Sequence, residues 1–205
     1  MFSKFFLSLS AGKKIAYLAV FIALSVVANA FSIDVSTSQK ITFTYLVCFL
    51  SGALFGAVAA FGIGFLGDAI GFLILPSSGP YWVLFSLSLG IYGFIAGIVF
   101  HCFKGERRSQ LYLKGAIALI VNYILITLCI NTVSNYYYLY IFYWEGIPKK
   151  AFLVFLGGRI AFQSVVYVIN CALCMALLPV VYFLKPSKKT KHISKKEDAN
   201  AERIE

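Results

Sequence analysis

Residues 62–97, GIGFLGDAIGFLILPSSGPYWVLFSLSLGIYGFIAG, hold two apolar segments separated by the turn Pro76-Ser77-Ser78-Gly79-Pro80. Pro and Gly in that cluster end one helix and start the next. Asp68 stands inside the first segment. A carboxylate at membrane depth costs about 2.5–3.5 kcal/mol on insertion scales and tends to mark a site. Tyr81 and Trp82 follow the turn directly; such rings suit a membrane interface and equally a flat ring ligand. An ordinary helical hairpin, its acid paired to a neighbour, accounts for the same residues.

The whole chain shares this apolar character. Of its 205 residues 60% are hydrophobic and 13% charged, and its mean hydropathy is +0.86. Soluble domains carry about 25% charged residues, so the composition is that of an integral membrane protein. Spans need about 20 apolar residues. Six segments are expected, at 14–33, 41–59, 61–75, 81–103, 114–135 and 152–184, with a glycine-marked break at Gly62 and Gly64 between the second and third. The fold class is therefore an all-α membrane bundle of six transmembrane helices, spanning residues 1–186, with a disordered tail of mixed charge at 187–205 that could brush anionic lipid.

Charge distribution sets the orientation. Lys4, Lys13 and Lys14 precede the first segment, Lys104, Arg107, Arg108 and Lys114 fill the fourth connection, and seven bases follow from Lys185 onward. The opposite connections hold Lys40, Lys149 and Lys150. Positive-inside counting places both termini in the cytoplasm and the connections 34–40, 76–81 and 136–151 outside. The net charge of +10 thus follows topology and does not call for nucleic acid. Lys13-Lys14, an apolar run and Ala28-Asn29-Ala30 resemble a cleavable signal, but the long charged stretch before them and the spans after them favour a retained first helix.

Side-chain patterns along the spans point to a site. In the fifth, Tyr123, Thr127, Asn131 and Asn135 recur every four residues; in the sixth, Arg159, Gln163, Asn170 and Cys174 align on one face. Amides and a guanidinium are costly against lipid, so both faces point into the bundle. Arg159 falls near Tyr136, Tyr137, Tyr138, Tyr140 and Trp144 by topology. An outer pocket with one arginine, several amides and many rings suits a planar heteroaromatic carboxylate, clamped by Arg and stacked on aromatics. Pairing of Arg159 with Asp68 is the bland alternative. In the first span Ala16, Ala19 and Ala23 form a small-residue stripe suited to helix docking.

Several chemistries are not provided for. There is no G-x-x-x-x-G-K-[ST], H-E-x-x-H or G-x-S-x-G, so neither a P-loop nor a familiar hydrolase site is encoded. The five cysteines have no zinc-like spacing, and no cofactor is expected. The pattern suggests a binding subunit that borrows energy from partners and is not itself an enzyme.

The sequence resembles the S components of energy-coupling factor (ECF) vitamin transporters, and among them the folate-type group. The resemblance is carried by Ile41-Thr42-Phe43 through Gly56, by Gly67-Asp68, Gly71, Pro76 and Gly79, by Phe85-Ser86-Leu87-Ser88 with Gly93 and Gly97, and by Arg159. It departs where folate-type members carry a Pro-Gly pair: here Tyr81-Trp82-Val83-Leu84 precedes Phe85-Ser86. The resemblance implies a six-helix fold that captures folate or a related pterin at its outer face, with 34–40 and 76–81 as lids. It adds Tyr45, Trp82, Phe85, Ser86 and Asp68 to Arg159, Gln163, Asn131 and Asn135 as substrate-binding residues. It also implies docking through Ala16, Ala19 and Ala23 onto a transmembrane coupling subunit, with two cytoplasmic ATPases, in a bacterial plasma membrane, and toppling driven by ATP hydrolysis. An S component for another small vitamin, or a membrane assembly factor, are the alternatives.

Overall fold

In the computed structural model, residues 2–36, 39–76, 79–103, 108–142 and 152–184 are described. A short turn of helix, α1 (Lys4–Leu7), leads into α2 (Ala11–Ala30). The strands β1 (Ile33–Ser36) and β2 (Gln39–Ile41) pair antiparallel, Ile33 opposite Ile41 and Asp34 opposite Lys40. Then come α3 (Thr44–Phe55), α4 (Ala57–Ile74) and α5 (Val83–Cys102). A continuous helical rod follows, built of α6 (Arg108–Asn122), a π-helical stretch at Tyr123–Ile130 and α7 (Asn131–Phe142). The last element is α8 (Phe152–Leu184).

Among the described residues, five helical stretches are long and apolar enough to cross a bilayer: Ala11–Ala30, Ala57–Ile74, Val83–Cys102, Ser109–Phe142 and Phe152–Val181. Thr44–Phe55 is a shorter apolar helix. A 20-residue helix is about 30 Å long, the depth of a hydrocarbon core. The chain is thus a helical multi-pass membrane protein, apart from its one hairpin.

The helical segments sit close to the expected ranges, with four corrections. The expected connection 34–40 contains most of a short two-stranded hairpin, and the first segment ends at Ala30. The fifth rod extends well beyond 114–135, and Tyr136–Phe142 is helix, not loop. The break between the second and third segments falls at Gly56, not at Gly62 and Gly64. Gly56 has φ 98°, a conformation closed to most L-residues, and it separates α3 from α4 without a loop. Gly64 lies inside α4 and gives room for α5: a Cβ there would sit 2.6 Å from the Leu89 carbonyl oxygen. The tail 187–205 lies outside the described residues.

Close packing of α3, α4 and α5 makes the centre of the bundle. A Cβ on Gly93 would lie 2.8 Å from the Ala60 carbonyl oxygen, and one on Gly52 would lie 2.8 Å from that of Gly93. Small residues let these backbones meet where lipid supplies no hydrophobic drive. Around this contact Cys48, Phe49, Phe55, Ile63 and Tyr92 are fully buried.

α2 packs on α4 through one face only. Ser25, fully buried, and Asn29 lie against Gly67 and Gly71. At 100° per residue Ala16 stands half a turn from Ser25, and Ala16, Ala19 and Ala23 are all exposed. At the other end of α2 the chain is pinned: Ser3 donates its N–H to the Phe55 carbonyl at 2.9 Å and its hydroxyl to that of Leu54 at 2.6 Å.

Candidate functional site

Polar side chains from six helices gather at the hairpin end, where α2 and α4 finish, α3, α5 and α8 begin, and α7 runs out. Neighbours hold both carboxylate oxygens of Asp68. Asn29 Nδ2 donates to its Oδ1 at 3.3 Å, and Ser86 Oγ donates to its Oδ2 at 2.6 Å. Ser86 Oγ also meets the Tyr81 hydroxyl at 2.7 Å. The acid therefore ties α2 to α5 and to the turn before α5.

A second knot centres on Asn131, the first residue of α7. Its Nδ2 donates to the Tyr45 hydroxyl at 2.6 Å, and its Oδ1 accepts from Ser88 Oγ at 2.7 Å. An amide satisfied on both sides has a fixed orientation. Tyr45, the second residue of α3, stacks obliquely on Tyr92 with centroids 4.8 Å apart, and it lies within electrostatic reach of both Arg159 and Asp68. Tyr45 thus bonds the amide and feels the charge of both the acid and the guanidinium.

Arg159 sits in the second turn of α8, with only 6% of its surface exposed. Its guanidinium lies over the Phe155 ring, 5.8 Å from the centroid, and Phe155 packs edge-on to Tyr136. A buried arginine braced by a ring keeps its planar fork in one orientation, which favours bidentate recognition of a carboxylate. Gln163, one turn on, is half-buried, as is Asn135, one turn beyond Asn131. The Asn135 Oδ1 atom is buried and unpartnered among the described residues.

Aromatic rings close the same end. Trp82 donates its Nε1 proton to Ser134 Oγ at 2.9 Å and meets Tyr138 and Phe142 edge-on. Phe85 lies 5.4 Å from the Tyr138 ring, and the Tyr138 hydroxyl donates to the Pro80 carbonyl at 3.3 Å. The turn before α5 is therefore fastened to α7 by Trp82 and Tyr138.

The expected substrate-binding residues lie on the helix stretches of this end, but the expected aromatic neighbours of Arg159 are only partly there. Tyr136 and Tyr138 pack inward, whereas Tyr137 and Tyr140 are 54% and 48% exposed, being carried to the outer face by the helix that runs through them. Trp144 lies outside the described residues. The regular four-residue stripe of the fifth span is also altered. Tyr123 bonds Ser164 of α8 at 2.5 Å, while Asn131 serves α3 and α5, because the π-helical stretch between them changes the period. Asn29, Tyr81, Ser88 and Ser134 also belong to the constellation; Tyr81 and Ser88 stood in stretches already singled out but not among the expected substrate-binding residues. Ser134 left no distinct signal; Asn29, an amide near the end of an apolar helix, did.

Comparison with known families bears on this arrangement. The profile of the family described as "ECF-type riboflavin transporter, S component" matches residues 10–179, spanning every helix from α2 to most of α8. The chain belongs to this family. As an S component it is a subunit of a transporter. Among curated proteins it is 28% identical to "Folate transporter FolT" of Clostridium novyi over 119 residues, 58% of this chain and 69% of that protein. It is 35% identical over 96 residues to an uncharacterized protein of Mycoplasma pneumoniae, covering 46% of this chain and only 33% of that longer relative. Among solved structures the S component superposes on "Crystal structure of FolT bound with folic acid" with a TM-score of 0.64 at 25% identity, over 80% of this chain and 92% of the other.

Proposed function

We propose that this S component captures folate or a related pterin at the hairpin end and hands it to partner subunits for import. The observation that carries the reading is the buried Arg159, whose charge acts on the Tyr45 hydroxyl held by Asn131, at the same end of the bundle where Trp82 and Phe85 pack on Tyr138. A pterin ring offers a flat face for the rings and an edge of donors and acceptors for the amides. The glutamate carboxylates of folate offer the anion that a guanidinium clamps. The likeness to a folic-acid-bound FolT supports the same ligand.

In this reading six helices cross the membrane, both termini are cytoplasmic, and the hairpin end faces outward. β1–β2 and the Pro76–Tyr81 turn serve as lids. Ala16, Ala19 and Ala23 form the exposed face of α2 that meets a transmembrane coupling subunit in the bacterial plasma membrane. Two ATPases on the cytoplasmic side drive the toppling that delivers the ligand; no motif for nucleotide hydrolysis lies in this chain.

Tryptophan fluorescence tests the ligand. Trp82 is one of two tryptophans and faces the site. Protein from folate-free cells is expected to show saturable quenching by folate with a sub-micromolar dissociation constant, and Trp82→Phe is expected to remove most of the signal. The family description favours a second reading, riboflavin. Riboflavin has a flat ring but no carboxylate, so quenching by riboflavin and not by folate would select it.

A further inference from the structure

The end of the molecule away from the hairpin carries a segment that the ligand constellation does not use. α3 has 12 residues and is about 18 Å long, well short of the roughly 30 Å hydrocarbon layer. Its last carbonyls therefore fall inside lipid, where an unmet polar group is costly. The N-terminus meets two of them. Ser3 gives its N–H to the Phe55 carbonyl and its hydroxyl to that of Leu54, and the same hydroxyl oxygen accepts the Phe6 N–H at 3.0 Å. Ser3 and Phe6 are both buried.

This seat fixes the depth of α1. Phe5 packs edge-on to Tyr17 of α2, and Phe6 edge-on to Phe55, which Tyr17 also reaches. Tyr17 lies six residues beyond Ala11, the first residue of α2, a rise of about 9 Å. α1 therefore lies alongside the first turns of α2, at most about 9 Å inward from its start. The outward side of this segment is apolar and basic together. Phe2, Leu7 and Ile15 are exposed, Leu7 at 59%. Lys4 and Lys13 are exposed as well, and Lys14 stands over the Phe6 ring, 6.0 Å from its centroid. No acid precedes Asp34 in the chain. Among the described residues the acids are Asp34, in β1, and Asp68, both at the hairpin end. Apolar side chains at acyl depth, with lysines whose stems let the ammonium reach the surface, are the pattern of an interfacial segment.

We propose that residues 2–15 form a foot that grips an anionic lipid surface at the end opposite the ligand constellation. Phe2, Leu7 and Ile15 enter the acyl layer, and Lys4 and Lys13 meet the lipid phosphates. A zwitterionic surface offers the same chains without net charge, whereas each base near an anionic one favours binding about fivefold. A free anion lacks the chains that the exposed apolar residues call for. Because Ser3 is bonded to the end of α3, the foot moves with the bundle and its grip is passed to the helices. It does not depend on which vitamin is bound.

Brominated lipids read this contact at one residue. The full chain carries a tryptophan at position 7 (Leu7→Trp), with its two native tryptophans removed by Trp82→Phe and Trp144→Phe. It is placed in vesicles of phosphatidylcholine and phosphatidylglycerol, one or the other brominated. Emission from position 7 is expected to fall strongly with brominated chains, because bromine quenches only rings that touch it. Exchange between the two lipids at that position is expected to favour phosphatidylglycerol roughly fivefold or more. Lys4→Gln with Lys13→Gln, or salt near 1 M where the screening length is about 3 Å, is expected to bring the preference close to one. Emission untouched by bromine would overturn the proposal and place the segment in water or against another protein. A preference near one in the chain with both lysines, or one that the lysine substitutions leave unchanged, would overturn it equally. Should the tryptophan-free background not fold, native mass spectrometry makes the same test on the otherwise unaltered chain. Retention of phosphatidylglycerol over phosphatidylcholine is expected to drop with Lys4→Gln and Lys13→Gln, and equal retention overturns the proposal.

Discussion

Arg159 and Asp68 illustrate how burial turns a charge into a commitment. A guanidinium with 6% of its surface exposed has given up most of its hydration, and an anionic guest that meets it forms charge-assisted bonds worth about 1.5–3 kcal/mol. Arg159→Ala is therefore expected to weaken folate binding by roughly 10- to 150-fold, read by fluorescence titration, while leaving binding of an uncharged pterin nearly unchanged. Unchanged folate affinity would make Arg159 a structural residue. Asp68 differs in kind: Asn29 and Ser86 already hold both its oxygens, so it reads as the fastening of α2 and α5, with ligand contact secondary. The residues with rare chemistry for their surroundings, Arg159, Asp68 and Asn131, were legible from the sequence. Ser86, the partner of Asp68, was expected through the family resemblance alone, and the bond of Ser88 to Asn131 was not read, because a serine in an apolar helix commonly bonds its own backbone, as Ser88 also does to Phe85 at 2.8 Å.

At the scale of elements, the spans could be read because lipid demands long apolar runs whatever the tertiary contacts. The break between α3 and α4 could not be placed. Gly56, Gly62 and Gly64 look alike in sequence, yet only Gly56 takes a positive φ, while Gly64 is needed for the approach of α5 and a side chain at Gly62 would meet nothing within 4 Å. That distinction belongs to the packing partner and is invisible in one chain's pattern. The α4–α5 contact makes its own prediction. Gly93→Leu drives a side chain into the Ala60 backbone, an overpacking that costs about 1–3 kcal/mol or more. A clear fall in the thermal midpoint is expected, whereas Gly12→Ala, where the added Cβ meets nothing within 4 Å, should leave the midpoint nearly unchanged.

In the proposed reading, the whole molecule separates ligand capture and docking onto opposite sides of α2. One side, with Ser25 and Asn29, is built into the bundle and reaches Asp68; the other presents small residues outward. Replacing Ala19 and Ala23 with Trp is expected to abolish co-purification with the coupling subunit and leave folate titration intact. Assembly and uptake that survive this double substitution would remove the docking role of that face. The division was foreseeable in part, since a small-residue stripe shows in sequence, but its exposure depends on α2 contacting α4 with its other side.

The π-helical stretch has a consequence for how the ligand-facing arc is aimed. In the α–π–α rod the Asn131 N–H reaches back five residues to the Ile126 carbonyl, and the Thr132 hydroxyl donates to the Thr127 carbonyl at 3.1 Å. Excising one residue between Tyr123 and Ile130 would let the rod relax to uniform α-helix and swing everything beyond it by about 100°. Asn131, Ser134 and Tyr138 would then aim at lipid or at the wrong neighbour. Such a deletion is expected to keep full helical circular dichroism and lose folate binding, so the surplus residue works as an azimuthal setting for the hairpin-end third of the rod.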